Sequence, residues 1–177
     1  MIVFDGANNS ISANTVAFND LHGVAIIADS SKGNPITGNS LFSNGLLGMD
    51  LRGGTENAAD ATANDPGDTD AGPNGLQNKP VITAAKTVSG KTTIKGTLNS
   101  ASNKVFNVQL FSNPSGNEGK RFVGQREVKT DGSGNATFTL SPAQAVGAGQ
   151  TITATATLSA LGGSTSEFSA PRTVAAS

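Results

Sequence analysis

Hard oxygen ligands gather in one short stretch of this chain. In "NDPGDTDAGPNGLQNKP", residues 64–80, Asp65, Asp68 and Asp70 stand at i, i+3 and i+5 among Asn64, Asn74, glycines and prolines. Carboxylates at that spacing could wrap a Ca²⁺ ion. An EF-hand loop starting at Asp68 would need Glu at position 79, where the chain has Lys79, so that motif is excluded. Asp, Asn, Gly and Pro are also what a non-repetitive turn is made of, so both readings stay open. No cofactor other than this candidate calcium is indicated.

Other residues that could do chemistry are scattered. The lone histidine, His22, sits beside Gly23, and a Ser-His-Asp triad would need an activated Ser that nothing marks. It reads as an exposed or half-buried corner residue. Asp5, Asp29 and Asp50 could in principle supply a carboxylate pair for glycoside hydrolysis, but their places near turns are those of solvated acids. Lys120, Arg121, Arg126 and Lys129 cluster, yet Glu118 and Glu127 interleave with them and no aromatic platform accompanies them, so nucleic-acid binding is not expected. Cysteine is absent, which excludes disulfides, thiol catalysis and Cys-ligated zinc. No catalytic residue is assigned, and the chain reads as a non-enzyme.

The bulk properties indicate a folded chain with many turns. Net charge is −1, with 22 glycines and no Trp or Tyr, so a core must come from aliphatics and Phe. No apolar run approaches the ~20 residues that span a bilayer. No secretion signal is read at the start, and the expectation is a cytosolic protein or a piece of something longer. Charge is uneven: residues 1–79 carry nine acids and three bases, and 80–177 carry four and nine. Two units with different surfaces are therefore expected.

The elements that would position these residues begin with a repeat. "NNSISANTVAFNDLHGVAI" (8–26) matches "GNPITGNSLFSNGLLGMDL" (33–51) at an offset of 25. Asn9, Asn14 and Asn19 meet Asn34, Asn39 and Asn44, while Ile11, Val16, Val24 and Ile26 meet Ile36, Leu41, Met49 and Leu51. Short apolar runs spaced by two, with Asn and Gly at corners, are strand periodicity, and Phe18 follows Val16 in it. A fixed period without helical segments points to a stacked solenoid, here a right-handed parallel β-helix. Ile11 would then sit on Ile36, Val16 on Leu41, and the Asn pairs would stack at corners. At the same offset Ile2 and Val3 meet Ile27 and Ala28, so the first rung is expected to start midway and leave an open top. Open strand edges template pairing, and self-association through this N-terminal rung edge is expected.

The asparagine-cornered pattern of residues 1–55 resembles the rungs of bacterial pectate-lyase-like β-helix proteins, many of them secreted or on the cell surface. The stretch "NDPGDTDAGPNGLQNKPVI" resembles the segment that leads from the last rungs of such proteins into a sandwich domain. Lyases of this fold use an acidic calcium-binding face along several rungs, more than this chain can supply.

After Pro80 the chain reads as alternating strands. "TTIKGTL" (92–98), "VFNVQLF" (105–111), "RFVGQREVK" (121–129), "ATFTL" (136–140) and "TITATATL" (151–158) each carry one apolar face, with further short strands at 166–168 and 172–174. In the fifth, Thr151, Thr153, Thr155 and Thr157 fall on the face assigned to solvent. Seven or eight such strands fit an immunoglobulin-like sandwich. These segments also resemble the C-terminal domain of the same surface proteins.

The expected fold is all-β: a short right-handed parallel β-helix of two to three rungs (1–55), an acidic connector (56–80) and an Ig-like antiparallel β-sandwich (81–177). The resemblance implies an extracellular or bacterial cell-surface location within a larger protein, and a structural or adhesive role. The alternative is a carbohydrate-binding or polysaccharide-degrading β-helix protein, against which the absence of Trp and Tyr stands.

Overall fold

The computed structural model describes residues 1–54 and 61–176, and what the sequence suggests for 55–60 lies outside the described residues. The chain is all-β, with small parallel sheets first and antiparallel sheets after them. Seven short strands open it: β1 (Ile2–Phe4), β2 (Ile11–Ser12), β3 (Thr15–Ala17), β4 (Val24–Ile27), β5 (Ile36–Thr37), β6 (Ser40–Phe42) and β7 (Met49–Arg52). They pair in parallel as β1-β4-β7, β2-β5 and β3-β6, so each sheet stacks the same strand of successive units. Ile11 lies opposite Ile36, Val16 opposite Leu41 and Val24 opposite Met49, as the offset of 25 predicts. Ile11, Val24, Ile26, Ile36, Leu41, Met49 and Leu51 are buried together inside.

Asparagines tie the units at the corners. Asn9, Asn14 and Asn19 each donate their backbone N–H and side-chain Nδ2 to Oδ1 of Asn34, Asn39 and Asn44 in turn. In return Nδ2 of Asn34, Asn39 and Asn44 donates to the carbonyls of Gly6, Ile11 and Val16. Buried backbone groups at corners must find partners, and the carboxamide supplies both a donor and an acceptor in one plane.

Two expectations for this unit are corrected. Ile2 pairs with Ala25 and Val3 with Ile26, not with Ile27 and Ala28. The step shortens by two residues here because this register sets the inward Val3 on Ile26, against the core. The surplus of the second unit is taken up at the corner after β4, where Ala28 has φ 77 and Ser31 Oγ accepts the Gly6 N–H. Phe18 does not continue the inward alternation. It lies just beyond β3 at φ 59, exposed, with its ring edge-on to Phe42.

The antiparallel part comprises β8 (Val81–Val88), β9 (Lys91–Asn99), β10 (Val105–Asn113), β11 (Arg121–Lys129), β12 (Asn135–Leu140), β13 (Thr151–Leu158) and β14 (Arg172–Thr173). One sheet runs β12-β9-β8 and the other β11-β10-β13-β14. Ile94, Leu98 and Phe138 from the first join Phe106, Val108, Leu110 and Ile152 from the second in one core. Burial alternates cleanly along β9, where Thr92, Ile94, Gly96 and Leu98 face inward, and that is the pattern period alone reads.

The threonine row of β13 is not a solvent face. Thr153, Thr155 and Thr157 are all buried. Thr157 Oγ1 meets Thr165 Oγ1, which accepts the Ile36 N–H, and Thr153 Oγ1 donates to the Glu118 carbonyl. Thr155's neighbour across the ladder, Gln109, accepts the Gly38 N–H. The N-terminal unit therefore covers this face. Residues 166–168 form no strand. Ser166 and Ser169 place their hydroxyls where ladder carbonyls would stand, accepting the Ala156 and Ala154 N–H groups, and this lets Glu167 turn inward between them.

Candidate functional site

The three aspartates of the connector do come together. One carboxylate oxygen from each of Asp65, Asp68 and Asp70 lies within 4.8 Å of the others. A tight local turn causes this: Asp65 Oδ2 accepts both the Thr69 N–H (2.9 Å) and its hydroxyl (2.7 Å), and Asp68 has φ 60. Asn78 and Ser100 then fix Asp68, donating to Oδ1 (2.8 Å) and Oδ2 (2.7 Å). Ser100 follows β9 directly, so the cluster is anchored to the antiparallel part. Asn64 and Asn74 are not members. Asn64 exchanges bonds with the Lys79 backbone, and Asn74 reaches the N-terminal unit.

The electrostatics favour positive charge here. Burial pushes Asp68 up to about 6 despite its bonds from Ser100 and Asn78, and the charges of Asp70 and Asp65 add to the rise. Burial, then the Asp65 charge, raises Asp70 as well. Burial also opposes ionisation of Asp65, but the Thr69 bonds outweigh it and hold that carboxyl below its usual value. Oδ1 of Asp65 and of Asp70 is buried and, among the described residues, accepts no hydrogen bond. Two orphaned carboxylate oxygens beside a third carboxylate fit a hard, oxygen-seeking cation such as Ca²⁺.

Asp50 departs from the sequence reading, whereas His22 is the half-buried corner residue expected. Asp50 is not a solvated edge residue: it is fully buried, with Oδ2 3.2 Å from His22 Nε2, and the His22 side chain is 9% exposed. They line a groove of about 370 Å³ with Ile2, Leu21, Ala25 and Arg52, on the outer face of β1-β4-β7. The other imidazole nitrogen, Nδ1, is buried. Asp5 and Asp29 are exposed, and Asp5 accepts a bond from Ser30 Oγ.

The densest polar site lies where the two parts of the chain meet, and no motif announces it. Glu167, 1% exposed, accepts the Leu51 N–H of β7 (3.0 Å) and the Thr62 N–H of the connector (2.7 Å). Lys79 Nζ stands 3.6 Å from the same carboxylate and donates to the Thr62 carbonyl. Burial pushes Glu167 up to about 7 even though these partners pull it down. Around it, Leu76, Phe111 and Phe168 close the bottom of the first core, with the two rings edge-on at 5.4 Å. Leu41 and Gly119 exchange backbone bonds across the junction. A Cβ on Gly119 would meet the Phe168 ring at 2.5 Å, so only glycine permits that approach.

The junction also finishes the asparagine ladders. Asn74, 1% exposed and at φ 48, accepts the Asn34 N–H on Oδ1 (2.9 Å) and returns Nδ2 to the Asn34 carbonyl (2.9 Å). Glu118 accepts the Asn44 N–H (3.3 Å) and Nδ2 (2.7 Å). From sequence Asn74 stands only among the oxygen ligands of the acidic turn, Glu118 only as an acid interleaved with the basic cluster, and nothing marks Glu167. Of the basic cluster, Lys120 lies 4.6 Å over the Phe42 ring and Arg121 is held by Ser112 and Gln144.

No family model matches the chain, and no curated protein matches it. Among solved structures it is weakly similar to a multi-modular chitinase expressed on the cell surface of Paenibacillus sp. str. FPU-7. Identity is 11%, the TM-score is 0.27, and the match covers 97% of this chain and 19% of that one.

Proposed function

We propose that the chain is a short right-handed parallel β-helix closed at its lower end by an Ig-like sandwich. In this reading it serves as a non-enzymatic structural or interaction module of a bacterial extracellular or surface protein. The observation that supports this best is the junction. Asn74 and Glu118 occupy the positions a next rung's asparagines would take, and Glu167 ties β7, the connector and the region after β13 together. Such a seal makes one stiff body from two units, which suits load-bearing or display and leaves the polar groups spent on structure. The pairing of His22 with the buried Asp50 agrees with that use. The aspartate cluster would take Ca²⁺ to stiffen the connector, as acidic turns do in extracellular modules.

A glycan array screened with and without Ca²⁺ tests the reading. No reproducible binding is expected. Retention of one polysaccharide class, lost when the His22 groove is filled by Ala25→Phe, would overturn it in favour of a carbohydrate-binding protein.

A further inference from the structure

The end of the parallel stack opposite the junction exposes three strand edges at once, those of β1, β2 and β3. Half of the large apolar residues left exposed by the chain, Met1, Ile2, Phe4, Phe18 and Leu21, belong to this first unit. The hydrogen bonds at its corners have a direction. In every ladder the backbone N–H of the earlier unit's asparagine donates to Oδ1 of the later one. The buried asparagines have that acceptor filled. Asn9, Asn14 and Asn19 are exposed, and among the described residues their Oδ1 atoms accept nothing, although their N–H and Nδ2 groups are engaged.

We propose that this end is a docking surface for one further asparagine-bearing turn of the same 25-residue chemistry, stacked in parallel register on β1, β2 and β3. The inference rests on reading the first unit as rungs of a structural module. A matching turn brings three corner N–H donors to the three open Oδ1 acceptors, and strand edges to strand edges. A second copy of this chain brings strand edges but no free corner donors: its own open end offers the same three acceptors, and its lower end is already filled by Asn74, Glu118 and Gly119. The surface thus selects by hydrogen-bond direction.

The test fuses a copy of residues 8–25 directly ahead of Met1, which sets a new asparagine 25 positions before each of Asn9, Asn14 and Asn19. Ile11 and Ala13 donate their N–H groups to Pro35 and Thr37, so the Ser12 N–H between them faces the open end. In the extended chain Ser12 exchange should slow by more than about tenfold, and the melting temperature should rise. Asn14→Ala should cost the extended chain more than the original one. Unchanged Ser12 exchange with native protection of residues 34–44 intact would overturn the docking proposal alone, whereas absent protection at 34–44 in the original chain would overturn the module reading beneath it. Sedimentation of the unextended chain is the independent arm. A monomer across concentration supports the proposal, and a dimer that protects Ser12 overturns it.

Discussion

Glu118 stands under Asn44 in the place that Asn44 takes under Asn19: a side-chain oxygen, here Oε1, receiving both the backbone N–H and the carboxamide of the residue above. A carboxylate thus substitutes for the next asparagine where the repeat ends. Glu118→Gln keeps an acceptor and should be nearly neutral, while Glu118→Ala leaves two donors short and should cost about 1–2 kcal/mol. Asn74→Ala should cost more, on the order of 3 kcal/mol, because the site is buried, three bonds go and the left-handed backbone disfavours alanine. Urea denaturation orders the three variants. Equal losses would refute the ladder-ending role.

Lysine substitutions probe which faces are covered. Alternation along 151–158 suggests that Thr155→Lys is harmless and Val16→Lys severe. Burial reverses that order, because Thr155 is 1% exposed at the junction whereas Val16 is only partly buried. Thr155→Lys should lose at least about 3 kcal/mol, since an ammonium would be forced into a dry contact. A melting temperature for Thr155→Lys at or above that of Val16→Lys would show the junction to be open in solution.

The same residues mark the limit of what the sequence discloses. Periodicity found the stacked pairs Ile11–Ile36 and Val16–Leu41 because each depends only on local alternation and a fixed step. It misplaced Ile2 and Val3 because a corner of different length resets the register without disturbing the pattern on either side. It misjudged the threonine row because period separates two faces of a strand but cannot say whether both are covered. The aspartate cluster was visible as a spacing of acids along a turn. Glu167 was not, since its partners Leu51, Thr62 and Lys79 are brought to it only by tertiary structure.

Glu167 and Asp68 make stability depend on pH in a stated direction. Their folded pKa values, about 7 and about 6, lie above the unfolded values near 4.5 and 3.8. The folded state therefore binds more protons between those limits, and stability should rise as pH falls from 8 toward 5. The gain should be on the order of 2 kcal/mol, before ordinary acid unfolding sets in. Glu167→Gln should flatten most of the slope, with its carboxamide still accepting one N–H. Chemical denaturation at pH 8, 6.5 and 5 checks this, and a slope of opposite sign would show that Lys79 holds the carboxylate ionised.

The connector aspartates make the opposite demand, because a divalent cation prefers them ionised. Adding Ca²⁺ at pH 8 should raise the melting temperature, and the effect should fade below pH 6 as Asp68 takes a proton. Asp70→Asn removes one of the two orphaned carboxylate oxygens and should abolish the Ca²⁺ response while leaving the metal-free protein no less stable, since it also relieves repulsion with Asp65. Asp68→Asn should weaken the response and raise metal-free stability at pH 8, because the buried charge disappears while its bond from Asn78 survives. Mg²⁺, which resists giving up its water and demands octahedral geometry, should substitute poorly. A melting temperature indifferent to millimolar Ca²⁺ at pH 8 would leave these three carboxylates a turn and not a cation site.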